Sequence, residues 1–337
     1  MLVGAVLMLI FGYDPFWAYY DLFSTAFGSL KNIGEILRAM SPLILIALGF
    51  SVASKAGLFN IGLPGQALAG WTSAVWFALA FPELPKVVSI VCTVIIGLVA
   101  GGITGAVPGI LRAYLGTSEV IVTIMMNYII LYVANNIVRF GFTADMLRSS
   151  EASNRVSASA SYQTDFLSSL TDGSRFNIGF FLAIVAVFLV WFMLKKTTTG
   201  FEITSVGFNP NASEYAGISS KRVIIMSMII SGALCGLGGT VEGLGTFQNA
   251  FVQNSSLAIG WNGMAVSLLA ANSPIGIPFA ALLYGVLSVG KTGMIGVPSE
   301  IIDVVLALII FFVGANYIIK YWIRPRHKSV KAKGGQN

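Results

Sequence analysis

Apolar stretches close to twenty residues long recur along the whole chain, separated by short polar breaks. They fall at 36–53, 61–81, 87–111, 118–140, 177–194, 223–243, 260–271, 275–290 and 299–321. About twenty residues of helix cover the roughly 30 Å of a bilayer's hydrocarbon core. None of the runs alternates strictly, as a lipid-facing barrel strand would, so each predicts a helix. A further run, 2–12, stops at Tyr13, Asp14 and Pro15 and reads as a partial or truncated first helix. No Lys or Arg precedes it and no small-residue cleavage pattern follows, so a signal peptide is not expected. The predicted fold class is all-α: a polytopic membrane protein of about ten transmembrane helices, forming one transmembrane domain over 1–337.

The polar breaks give the orientation. The Ser-rich stretch 142–176 sets Asp145, Glu151, Asp165 and Asp172 against Arg148, Arg155 and Arg175, with no basic excess, and predicts an outer loop. The stretch 195–222 carries Lys195, Lys196, Lys221 and Arg222. After Asp303 no acidic residue remains, while Lys320, Arg324, Arg326, Lys328, Lys331 and Lys333 follow, so the tail 322–337 and the 195–222 loop are both expected inside. Inside that loop lies GFNPNASEYAGI, in which Asn209 can cap a helix, Pro210 suits its first position and Gly217 ends it. Such a helix is either a docking element or an ordinary solvated connector.

Two halves echo each other. Residues 117–140, TSEVIVTIMMNYIILYVANNIVRF, align without gaps onto 298–321, PSEIIDVVLALIIFFVGANYIIKY, and IGLPGQA from Ile61 is echoed by IGWNGMA from Ile259. The paired helices are an odd number of crossings apart, which predicts inverted repeats over about 36–141 and 223–321. In 55–71, KAGLFNIGLPGQALAGW, helix-breaking Gly57, Gly62, Pro64 and Gly65 crowd beside Asn60 and Gln66. Freed backbone groups at membrane depth are tolerated only under protein cover or beside a wet cavity, so broken helices are expected in both halves. The alternative is a short surface turn. Candidate path residues are Asn60, Gln66, Trp71, Asn127, Trp261 and Asn262, although intramembrane Asn also bonds neighbouring helices and Trp also anchors at interfaces. Glu242 is expected at a solvated helix end or vestibule rim, and Glu119, after Ser118, as a capping residue.

Composition bounds the chemistry. At 56% hydrophobic and 10% charged, with a mean hydropathy of +0.82 and net charge +6, the chain is no soluble domain. Its two cysteines, Cys92 and Cys235, both fall in predicted spans, and its one histidine, His327, sits in the tail. Neither a disulfide framework, a metal cluster nor a triad is suggested, so no catalytic residue and no cofactor or metal bound by this chain is expected. The basic tail orients the protein and rests on anionic membrane lipid; nucleic acid is not the expected partner. GVLSVGKT, 285–292, matches the phosphate-loop pattern literally, but an apolar helix enters it where a strand is required.

Four ordered motifs carry a family resemblance: AGLFNIGLPGQ, GTSEVIVTIMMNYI, TTTGFEITSVGFNPNASEYAGI and ANSPIGIPFAALLYG. Together they resemble the permease subunits of bacterial ABC importers for nucleosides, within the group that also handles simple sugars and branched-chain amino acids. The resemblance implies an inner-membrane subunit working with a second homologous permease as a heterodimer, cytoplasmic ATPase subunits that hold the ATP and Mg, and an extracytoplasmic binding lipoprotein. It also implies a coupling helix seated in the ATPase, with Asn209, Pro210, Ser213, Glu214, Tyr215 and Gly217 at the matching positions. The rival expectation is a carrier of a small polar metabolite driven by an ion gradient. Such carriers place ionisable groups at mid-membrane, and few stand there in this sequence.

Overall fold

The computed structural model describes residues 2–294 and, beyond them, 298, 300, 301, 303, 304, 307 and 308. The basic tail and most of the expected last span, with the repeat match it carries, lie outside the described residues. Among those residues the chain forms α1 (Leu2–Ile10), α2 (Pro15–Phe27), α3 (Leu30–Lys55), α4 (Leu63–Ala80), α5 (Lys86–Leu115), α6 (Glu119–Asn136) and α7 (Asp165–Leu170). It continues with α8 (Gly179–Lys196), α9 (Thr198–Phe208), α10 (Pro210–Tyr215), α11 (Ser220–Val241), α12 (Ala258–Leu269) and α13 (Ile277–Gly290). One small hairpin, β1 (Leu147–Ser149) with β2 (Ala152–Ser153), sits in the loop between α6 and α8. The chain is a helical, multi-pass membrane protein. Among the described residues, five helices are long and apolar enough to cross a membrane, namely α3, α5, α8, and α6 and α11 with the π-helical turns that extend them to Gly141 and Phe247. Among the described residues the expected ten are thus matched by five full-length candidates, the shorter apolar helices α12 and α13, and α4, a continuous 18-residue helix with Pro64 in its first turn.

Three helices were not expected: α2, α9 and the six-residue α7 within the 142–176 loop. Asp14 accepts the amide of Phe16 at 2.9 Å with Pro15 in the first turn, and Ala18, Leu22 and Ala26, four residues apart, bury one stripe of α2. Thr197 caps α9 by accepting from Gly200 at 3.2 Å. Both start signals stand in the sequence, but the helices are too short to register as spans.

The centre of the bundle is α3, buried at every position from Met40 to Ala53. Against it lies α11, which also packs on α4 and α5. Gly236 is what permits the α5 contact: a Cβ there would stand 2.2 Å from the Gly97 carbonyl oxygen. Lipid tails give helices no hydrophobic reason to associate, so close backbone approach of this kind supplies the packing.

The bundle has two unlike ends. At the basic end stand Lys55, Arg112, Lys195, Lys196, Lys221 and Arg222, together with α9 and α10. The other end is covered by the α6–α8 loop. Its backbone bonds run to the segment after α11: Ser153 donates to Ala250 (2.8 Å), Val156 to Gln248 (2.8 Å) and Tyr162 to Leu244 (3.2 Å). Tyr162 is fully buried there, with its hydroxyl 3.0 Å from that of Thr93. Burial pushes its phenol far above the usual range, against a smaller opposing effect of the Thr93 contact, so it stays neutral.

Candidate functional site

After α3 ends at Lys55, residues 56–62 turn back into the bundle and α4 starts there, level with Ser231 in the middle of α11. Asn60 organises this break. Its amide nitrogen donates to Ser231 Oγ (2.8 Å) and Gln66 Oε1 (3.0 Å), and its oxygen accepts from the Gly62 amide (2.9 Å). Asn127 does the same from α6, accepting from the Gly65 amide and donating to the Ile61 carbonyl, both at 2.9 Å. Thr123 accepts from the Ile61 amide at 3.2 Å. Backbone groups that the missing helical turn leaves without partners are therefore satisfied by side chains.

A second interruption enters from the opposite end. Residues 248–257 descend from the loop-covered end, held by Asn135 of α6, which donates to the Gln253 carbonyl and accepts from its amide, each at 2.8 Å. Then α12 begins inside the bundle and runs to the basic end, where Asn272 donates to Ser54 Oγ at 2.8 Å. The starts of α4 and α12 meet: a Cβ on Gly260 would stand 2.5 Å from Pro64. The two echoing motifs, from Ile61 and from Ile259, are thus neighbours in space.

The expected path residues separate into three groups. Asn60, Gln66 and Asn127 are buried; Asn60 commits both amide N–H groups to Gln66 and Ser231, and Asn127 commits its oxygen and one N–H to the break. Trp71 is also buried, stacked on Phe247 at 5.0 Å and edge-on to Phe251 at 5.5 Å, with its indole N–H donated to the Asn249 carbonyl. On α12, Trp261 is exposed and Asn262 half-buried. Ser231 and Thr123 were missed, since a single hydroxyl in an apolar run carries no signal of a partner so far away in sequence.

Glu242 is not at a solvated end. It is buried, accepts from Thr246 Oγ1 (3.1 Å), and Thr246 in turn accepts from Arg38 Nη1 (3.2 Å). Arg38 donates to Glu35 at 2.7 Å, and Arg175 of the covering loop holds Glu35 from the other side at 2.9 Å. Two carboxylates and two guanidiniums thereby bind α3, α11 and the loop together at the loop-covered end. Glu119 stands in the first turn of α6, where an anion suits the helix start, but Ser118 makes no side-chain capping bond and Glu119 also pairs with Arg112 at 3.3 Å. The phosphate-loop lookalike is largely the regular C-terminal half of α13, and its Lys291 pairs with Asp303 at 2.7 Å.

At the basic end, α10 is a short helix with both ends fixed. Asn209 Oδ1 accepts from the Ala212 amide (3.1 Å), Pro210 occupies the first turn and Gly217 takes φ +83° to leave it. Ser213 faces inward, and Ser220 donates to the Pro210 carbonyl at 2.9 Å. Asn209, Pro210, Glu214, Tyr215 and Gly217 face out; Tyr215 is 96% exposed and Phe208 86%. Just before α10, the Gly207 backbone lies against the end of α3, so close that a Cβ would overlap the Lys55 carbonyl oxygen and approach Gly57. The exposed loop is therefore seated directly on the entrance to the first break.

A family model described as branched-chain amino acid transport system / permease component matches residues 32–314. The chain is 54% identical over 335 residues to the nucleoside ABC transporter permease protein NupB of Lactococcus lactis subsp. cremoris, covering 98% of this chain and 92% of that one. It is 43% identical over 321 residues to the guanosine ABC transporter permease protein NupP of Bacillus subtilis, covering 94% and 91%. A more distant relative, the nucleoside ABC transporter permease protein NupC of the same Lactococcus, is 23% identical over 261 residues, covering 76% and 80%. No solved structure matches the chain at a significant level.

Proposed function

The chain belongs to the branched-chain amino acid transport system permease-component family, and from that membership we propose that it is a permease subunit of an ATP-driven nucleoside importer. It forms half of the translocation path in the cell membrane, with the basic end and the C-terminus cytoplasmic. A second permease completes the path, a reading supported by the occurrence of two such nucleoside permeases in one Lactococcus strain. ATP and Mg belong to separate cytoplasmic ATPase subunits, and an extracytoplasmic lipoprotein delivers the nucleoside.

One observation carries the mechanism: the seat of Gly207 on Lys55 and Gly57. Force applied to α10 by an ATPase reaches the α3–α4 break through backbone contact, with no long side chain to absorb it. Outward-facing Glu214 and Tyr215 are the residues that meet the motor. Movement at the break shifts the Asn60, Gln66 and Ser231 bonds between α4 and α11, and so alternates access.

The test is reconstitution of the complete importer with Glu214→Ala and Tyr215→Ala together. We expect guanosine uptake and lipoprotein-stimulated ATP hydrolysis to fall at least about tenfold with membrane insertion unchanged, because truncating central contacts costs on the order of 2 kcal/mol. Unimpaired uptake removes the docking role. Uptake by the isolated chain under a proton or sodium gradient replaces the whole scheme with an ion-driven carrier.

A further inference from the structure

The membrane-spanning helices differ in what they turn outward. In both α6 and α8 only 22% of the most apolar stretch is buried, so most of each helix faces away from the bundle. The outward residues of α8 are Phe181, Ile184, Val185, Phe188, Leu189 and Phe192, all hydrocarbon. Those of α5 are likewise aliphatic from Val87 to Ile110, which suits contact with lipid tails. On α6, however, Tyr128 is 58% and Tyr132 70% exposed, and neither hydroxyl has a hydrogen-bond partner among the described residues. Tyr128 lies nine positions after Glu119, about 14 Å along the helix and so near the middle of a roughly 30 Å core. That depth is wrong for an interfacial anchor, and a phenol hydroxyl left bare in hydrocarbon costs on the order of 1–3 kcal/mol.

Direction narrows the choice further. Tyr128, Tyr132 and Asn135 follow the i, i+4, i+7 spacing of one helix stripe. Asn135 is fixed by its two bonds to Gln253, so the stripe runs along the side of α6 nearest the segment that leads into α12. On α12 the exposed large residue is Trp261, which donates to Ser256, and the half-buried Asn262 beside it has its amide without a partner among the described residues.

We propose that the Tyr128–Tyr132 stripe of α6, with Trp261 and Asn262, lines the hydrated solute path and faces the second permease across it, while α5 and α8 face lipid. The two phenols and the indole supply flat faces for a heterocyclic base, and the hydroxyls and the Asn262 amide supply hydrogen bonds for a sugar. This rests on the importer reading and assigns its wall.

The experiment uses the full importer in membrane vesicles, with Cys92→Ala and Cys235→Ala as background. Tyr128→Cys and Tyr132→Cys are compared with Phe188→Cys for reaction with a charged, membrane-impermeant methanethiosulfonate reagent during ATP turnover. We expect both α6 positions to react at least tenfold faster than the α8 position, and guanosine to slow them. Equal, slow labelling at all three positions in vesicles that still take up guanosine overturns the assignment. Loss of ATP dependence of uptake in the background protein would instead strike the importer reading. Should Tyr128→Cys not insert, Tyr128→Phe serves: a raised KM for guanosine with unchanged expression supports the assignment, and unchanged kinetics count against it.

Discussion

Residues in this protein act first by what they hold together. Asn60 joins a turn amide, a Gln and a Ser on another helix, and none of these is reached by water. Asn60→Ala should lower the thermal midpoint of the detergent-solubilised protein by the equivalent of about 2 kcal/mol, the cost of stranding buried polar partners. Gln66→Ala should cost less, since its loss leaves the Gly62 and Ser231 bonds intact; equal losses would show that the break is not organised by Asn60. Gly236→Ala should cost about 1–3 kcal/mol by forcing α11 off the Gly97 carbonyl, read in the same melt. The sequence marked Asn60, Gln66 and Asn127 as candidate path residues, with bonding to neighbouring helices as the alternative for Asn. The bonds they make to Ser231, Ile61 and Gly65 emerge only when the chain has folded, because amide side chains look alike whether they bind a ligand or staple a loop.

Elements were legible where their signals are local. The α10 helix needs only Asn209, Pro210 and Gly217, all within nine positions, and it stands where that spacing put it. The interruption before α4 was likewise written in Gly57, Gly62 and Pro64. The interruption before α12 was less so, because the extended segment 248–257 depends on Asn135, more than a hundred positions earlier. Removing the α10 cap separates local from global effects. Asn209→Ala should loosen only this six-residue helix, by about 1 kcal/mol, and leave the global melting transition unmoved. Hydrogen exchange at Ala212 and Ser213 should rise, and ATP hydrolysis should proceed with less guanosine moved per ATP. An unaltered transport ratio with faster exchange would mean that the helix need not be ordered before it meets its motor.

At the scale of the whole molecule, the two ends are built for different work: α10 stands bare at the basic end, while the other end is tied by Glu35, Arg38, Arg175, Thr246 and Glu242. This network was not legible, since Glu35 and Arg38 sit at the edge of a predicted span and Glu242 reads as an exposed helix end. Its members come from three separate stretches, and only folding neutralises them. Breaking it from one side strands charge: Arg38→Met removes the guanidinium that donates to Thr246 and leaves Arg175 as the one member of the network's cations facing both Glu35 and Glu242. The expected cost is about 3–5 kcal/mol, enough to lower the yield of folded protein and the melting midpoint. Pairing that change with Glu242→Gln removes the stranded charge and should recover more than half of the loss, since a well-packed neutral pair is often no less stable than a buried ionic one. A double variant as unstable as the single one would show that Arg38 acts through Glu35 and the covering loop. Transport distinguishes the roles further: if the network closes the outer end between cycles, the recovered double variant should hydrolyse ATP faster without its lipoprotein than the parent does. A basal rate equal to the parent's would leave the network a structural tie alone.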